Sequence, residues 1–317
     1  MTRISLSPRT VGLLCAAAAQ CLVGASTGVS SVLSGYPPAA GQMLRYSLAA
    51  AVLFAVLRIR RVRFLMPTLR ELALLALLAL AGQSLYTLFL LSAVQHADPA
   101  TVGSVIGAGP LLLAVAAPLL ARRSPTAPVV CAAALVTAGA MVVQGFGHAT
   151  GLGLALAGGV ALCEVGVPLI AAPLLPRLGP LRVAAYSTVM AVVQMFLLGL
   201  VTGKATAIPA LSAAETSALL YLALALTAGA FLLWFTALTR ISAETAGLFV
   251  GLVPVSAAFS GLVLAQGSLT ASQFAGTLLV GAGVAVGIRR QRPPKPSTTL
   301  VSPVPLTPLV PLPAEAN

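Results

Sequence analysis

The chain has 317 residues, 59% of them hydrophobic and 8% charged, with a mean hydropathy of +1.03 and a formal net charge of +12. That composition excludes a soluble globular domain. Its apolar blocks of about 20 residues match the ~30 Å hydrocarbon core of a bilayer at 1.5 Å per helical residue, and the short alternating strands of a β-barrel are missing. Basic residues sit between the blocks and not along one face, which argues against a nucleic-acid partner.

In chain order, Arg3 and Arg9 ahead of residues 11–24 imitate a secretory signal, but the apolar run continues to about Val32, so a retained first helix is expected. Ten transmembrane helices follow from the pattern: 10–33, 39–58, 71–93, 98–121, 126–145, 150–174, 180–202, 214–237, 243–265 and 270–288. The fold class is an all-α polytopic membrane protein. Cys15, Cys21, Cys131 and Cys163 lie inside apolar blocks without metal-ligand spacing and read as small, reduced packing residues. No metal or other cofactor is expected.

The connections fix an orientation. One alternating set holds sixteen basic residues: Arg3, Arg9, Arg58, Arg60, Arg61, Arg63, Arg70, Arg122, Arg123, Arg177, Arg182, Arg240, Arg289, Arg290, Arg292 and Lys295. The other set holds Lys204 alone. By the positive-inside rule both termini are cytoplasmic. After Gly287 the sequence RRQRPPKPSTTLVSPVPLTPLVPLPAEAN is basic and then proline-rich, and residues 289–317 read as a disordered cytoplasmic tail.

Shifting the chain by 144 residues aligns Ser92–Val143 with a later copy: Thr101 with Thr245, Gly103 with Gly247, Gly107 with Gly251, Pro110 with Pro254, and Ala138–Gly139 with Ala282–Gly283. On the order of fifteen identities in about fifty positions is the weak internal symmetry of transporter repeats. With small shifts Cys21 and Gly24 pair with Cys163 and Gly166, and Tyr46–Ser47 with Tyr186–Ser187. The expected organisation is a short N-terminus (1–9), one five-helix repeat (10–146), a second (147–288), then the tail. Five is odd, so the second repeat is inverted, an arrangement that supports alternating access.

These features together, five plus five spans with short loops, an arginine early in the second span (Arg45), and the Gly/Pro pattern of spans four and nine, resemble the EamA family of the drug/metabolite transporter superfamily. The resemblance covers about residues 11–288. It implies a ten-helix transporter with a central cavity between the halves, commonly exporting amino acids, metabolites or drugs. Where members often carry Gly-Glu after spans four and nine, this chain has Arg122–Arg123 and Gln266–Gly267, and the tryptophan common in span one is absent.

Glu164 is the sharpest candidate. It lies about fourteen residues into span six, where a charge costs about 2.5–3.5 kcal/mol and the neutral, proton-carrying form is favoured. It reads either as a proton-coupling site or as a protonated acid satisfying a neighbouring helix. Arg45 either balances a substrate carboxylate or snorkels outward. Gln20, Gln83, Ser84, Tyr86 and Thr87 reach comparable depths, as cavity lining or as interhelical hydrogen-bond donors. Trp234 and Tyr186 are candidate pocket walls or ordinary packing. Asp98–Pro99 reads as an N-cap with proline at the first helical position, Glu244 as a first-turn charge, and His96 and His148 as solvated. Gly103, Gly107, Pro110 and their echoes Gly247, Gly251, Pro254 are expected to bend spans four and nine beside the site, the prolines freeing the carbonyls of Ile106 and Val250.

The sequence therefore points to a secondary transporter in the cytoplasmic membrane, with protons as the candidate coupling ion and lipid as its surroundings, and the resemblance implies that it moves a small metabolite, amino acid-like or drug-like, outward. It has no P-loop. An intramembrane enzyme needs a nucleophile–base pair, a metal cluster or paired acids at depth, and one buried acid offers none of these. The alternative is a non-transporting membrane partner or lipid-handling protein that keeps the architecture alone.

Overall fold

The structure, a computed structural model, describes residues 6–30, 32, 38–202, 211–263 and 270–290. The expected proline-rich tail beyond residue 290, Arg3, Lys204 and Gln266–Gly267 lie outside the described residues. Among the described residues, ten helices are long and apolar enough to cross a membrane: α1 Pro8–Ser26, α2 Ala40–Ile59, α3 Leu69–Ala93, α4 Pro99–Leu120, α5 Ala127–Gln144, α6 Gly151–Ala171, α7 Leu175–Val201, α8 Ala213–Leu238, α9 Ala243–Ser260 and α10 Ala271–Arg289. The protein is a multi-pass, all-helical membrane protein. Its sole extended pairing among the described residues is one bridge between Ala97 and Ala149.

Local signals start the helices. Thr68 and Glu71 form a reciprocal capping box at the head of α3, and Ser212 and Glu215 form another at the head of α8. The two boxes are 144 residues apart, the offset of the sequence repeat. In α7 the backbone leaves helical geometry at Gly179 (φ 73°), so the continuous membrane helix starts at Pro180, as the sequence predicts.

The helices pack in matched pairs. α5 crosses α10 and α2 lies along α7; α1 packs on α8 and α9, while α6 packs on α3 and α4; α2 touches α8, and α7 touches α3. Exchanging each helix for the one five places away turns this set of pairs into itself. The α5–α10 crossing is backbone against backbone: a Cβ on Gly139 would stand 2.7 Å from the Val280 nitrogen, and one on Gly283 would stand 2.9 Å from the Val136 nitrogen. Only glycine allows that approach.

The connections gather at two ends. At one, Arg177 pairs with Glu71 and its Nη2 donates to the Met66 carbonyl (3.2 Å), while Arg182 forks onto the Arg63 carbonyl (3.0 and 2.7 Å). At this arginine-rich end Arg123 also meets Glu244 at 3.8 Å, and Arg9 donates to the Ile288 carbonyl at 2.8 Å. At the other end Asp98 accepts the His148 N–H (2.7 Å), Thr101 accepts that of Gly147 (2.8 Å), and Ser104 donates to the Gly145 carbonyl (2.5 Å).

Asp98 stands at the N-cap position with Pro99 following, as the sequence predicts, and its carboxylate makes no cap hydrogen bond but turns to the 145–150 connection. One expectation is corrected. Cys163 is buried and Cys15 half-buried, whereas Cys21 and Cys131 are exposed on helix surfaces, so those two are not core packing. A free thiol is apolar enough to stand on such a face.

Candidate functional site

Two helices change their winding at matching places. α3 is π-wound over Leu80–Ser84 and α8 over Leu222–Ala230. Shifted by 144 residues, 80–84 becomes 224–228, inside the second segment, and Gln83 falls on Thr227. π-winding leaves a carbonyl without its usual i+4 donor and gathers at functional sites. Here polar side chains take up the difference. Thr227 donates to the Leu222 carbonyl five residues back (3.0 Å), and Thr87 donates to the Gln83 carbonyl (2.7 Å).

Helix α2 addresses both segments. The Tyr46 hydroxyl donates to the Gln83 carbonyl at 3.3 Å, and Arg45 Nε donates to Thr227 Oγ1 at 2.7 Å. Arg45 Nη1 reaches Gln42 Oε1 at 3.1 Å, and the guanidinium lies 5.2 Å from the centre of the Tyr46 ring. Arg45 is therefore held inside the helix bundle, not extended to the surface. Beside it Ser84 donates to Gln194 Oε1 (2.7 Å), and the Gln194 amide donates to the Ala76 carbonyl (2.8 Å).

Tyr86 joins this cluster to α6, standing within electrostatic range of Glu164 as well as of Arg45 and Tyr46. Glu164 Oε2 and Gln83 Oε1 are buried without a hydrogen-bond partner. A buried acceptor left unpaired costs about 1–3 kcal/mol, so such atoms mark places where a proton or a ligand is wanted.

Four of the six polar or aromatic candidates, Arg45, Gln83, Tyr86 and Glu164, thus come together. The other two do not join them. Gln20 is buried on α1, whose neighbours are α8 and α9, and no hydrogen bond among the described residues links it to the cluster. Trp234 is 7% exposed within the main apolar core beside Phe235, in a packing position.

The helix breakers act as breaks more than as kinks. α4 is two helices, Pro99–Ile106 and Gly109–Leu120, interrupted at Gly107–Ala108, and Pro110 opens the second piece. In α9 a 3₁₀ turn, Leu248–Gly251, precedes Pro254. The glycines make room for neighbours: Gly103 for Gln144, Gly107 for Ala140, Gly247 for Leu113, and Gly251 for Val136 and Val280. A cavity of about 130 Å³ lies elsewhere, at the arginine-rich end, lined by Pro118, Arg123, Thr126 and Glu244 among others.

Comparison with known proteins decides the family. The EamA-like transporter family matches residues 10–144 and again residues 151–288. The chain belongs to the EamA family. This EamA chain is 24% identical over 286 residues to the uncharacterized transporter YetK of Bacillus subtilis (strain 168), covering 88% of the chain and 87% of YetK. A protein of solved crystal structure aligns with a TM-score of 0.75 over 87% of this chain and 96% of its own, at 21% identity, a likeness of fold. Reading the sequence of this EamA protein missed Tyr46, Gln194 and Thr227. For Thr227 the signal was the 144-residue echo, which places it opposite Gln83; the echo marks neither Tyr46 nor Gln194.

Proposed function

We propose that this protein is a secondary transporter that exports a small metabolite across the cytoplasmic membrane by alternating access, with Glu164 carrying the coupled proton. The observation that carries this reading is the Glu164 carboxyl, with Oε2 buried and unpartnered about fourteen residues into α6. A carboxyl that no protein group satisfies can hold a proton in one state and release it in another. The domain assignment follows: two five-helix halves, 10–146 and 147–288, the second inverted because five spans reverse the direction of entry. The matched helix pairs agree with such a pseudo-two-fold axis.

The arginine-rich end is assigned to the cytoplasm by the positive-inside rule. Its ties, Glu71 to Arg177 and Arg123 to Glu244, run between the two proposed halves, and ties of this kind support a reading in which the halves meet on that side. The test is flux in proteoliposomes under an imposed pH gradient, with substrates first screened by thermal stabilisation over amino acids, other metabolites and drugs. Glu164→Gln abolishes gradient-driven flux and leaves the fold intact. Coupling unchanged in Glu164→Gln removes this residue as the carrier.

A further inference from the structure

Arg45 sits eight residues into the helix Pro38–Ile59, about 10 Å from its outer end at 1.5 Å per residue. A guanidinium at such depth normally finds an acid or reaches the interface. This one does neither. The acids among the described residues are occupied elsewhere: Glu71 with Arg177, Glu244 with Arg123, Asp98 with the His148 N–H, and Glu215 in its capping box, while Glu164 forms no ion pair. The acceptors Arg45 meets, Thr227 Oγ1 and Gln42 Oε1, are neutral. No acid among the described residues pairs with its positive charge.

Thr227 settles how the guanidinium is held. It is fully buried, and its one hydroxyl hydrogen goes to the Leu222 carbonyl, so toward Arg45 it can only accept. Nε and one Nη1 hydrogen are thereby spent. Three of the five N–H donors of an arginine remain, one on Nη1 and two on Nη2, and these are donors an oxyanion can take. Close by, Gln83, 2% exposed, has its Oε1 unpaired, and Tyr46 ties its backbone carbonyl to the residue next to Arg45.

We infer that Arg45 binds an oxyanion, a carboxylate or a phosphate, carried by the transported solute, and that Thr227 of the second half is its positioning residue. This rests on the transport reading above and names the substrate class that the reading leaves open. Since Arg45 lies in the first half and Thr227 in the second, the anion would be captured at a contact between the halves.

The test uses the full-length purified protein, with Trp234, its one tryptophan, as fluorescent reporter on the same helix as Thr227. Benzoate and inorganic phosphate are titrated beside benzamide and benzylamine, reading fluorescence and unfolding temperature. An anion shifts both signals where the neutral and cationic compounds do not, and the benzoate and phosphate arms tell the two oxyanions apart. The shift vanishes in Arg45→Gln. Affinity falls roughly tenfold in Thr227→Val and returns in Thr227→Ser, which keeps the hydroxyl. An unfolding temperature near that of the parent shows each variant folded; if Arg45→Gln does not fold, the Thr227→Val and Thr227→Ser pair decides.

The inference is overturned if neither anion produces a shift, if benzamide or benzylamine matches them, or if Arg45→Gln keeps the response. Should anions fail while Glu164-dependent flux of another solute persists, transport stands and this inference falls. Should anions bind with no flux in any assay, the transport reading falls instead.

Discussion

Glu71 and Arg177 form an ion pair between the head of α3 and the connection ahead of the long part of α7, joining the first five helices to the second five. The same Glu71 carboxylate also caps its own helix through Thr68. Its counterpart 144 residues on, Glu215, keeps the cap with Ser212, and no ion pair to it occurs among the described residues. The local helix signal is thus present in both copies, and the tie between halves in one.

Removing Arg177 separates these two roles. Arg177→Gln leaves the Thr68–Glu71 box in place and releases the tie, so amides of residues 62–66, 177–179 and 181–182 should exchange hydrogen faster while those of α3 keep their protection. Glu215→Gln should leave both segments unchanged. Identical exchange in Arg177→Gln and the parent would show that the pair holds nothing closed.

Glu164 should be costly to keep. Replacing it by leucine removes a buried carboxyl oxygen that has no partner, and the protein should gain about 1–3 kcal/mol, seen as a higher unfolding temperature in detergent. Transport would be lost at the same time. A drop in unfolding temperature would mean the carboxyl has a stabilising partner after all.

The glycines separate into close-packed and open positions. Gly139→Ala forces a Cβ to 2.7 Å from the Val280 nitrogen and 2.8 Å from the Gly276 carbonyl, and should cost about 1–3 kcal/mol. Gly158 in α6 has nothing within 4 Å of the added carbon, so Gly158→Ala should gain up to ~1 kcal/mol from helix propensity. Equal unfolding temperatures for the two variants would contradict the α5–α10 crossing.

At the end opposite the arginines, Asp98→Ala should lower stability by about 1 kcal/mol, because the His148 N–H loses a charged acceptor. His148→Ala keeps that backbone N–H and should be near neutral. A larger loss in His148→Ala would place the imidazole, not the amide, in the clasp.

Much of this architecture was legible in the sequence because it is written in composition and local chemistry. Apolar block length gave ten helices and began span seven at 180, where α7 becomes continuous. Gly107 and Gly251 marked the interruptions of α4 and α9. The depth of Glu164 singled it out before any contact was known. The pairing of Arg45 with Thr227 was not legible, since 182 residues separate them and no spacing rule connects them. The π-winding was hidden too: LAGQS and LALALTAGA contain nothing that an ordinary α-helix would refuse. The capping boxes at Thr68 and Ser212 were readable as S/T-x-x-E, yet they foretell the helix start and not the second duty of Glu71.

A π-wound turn stores one residue more than the α-helix on either side of it. Passing that surplus residue along the helix would swivel the side chains it crosses by about 100°, while both ends of the helix stay where they are. α3 and α8 each hold such a surplus, at the level of Gln83 and of Thr227. The bundle therefore keeps its surplus residues at the level of its central polar groups, one segment in each set of five helices.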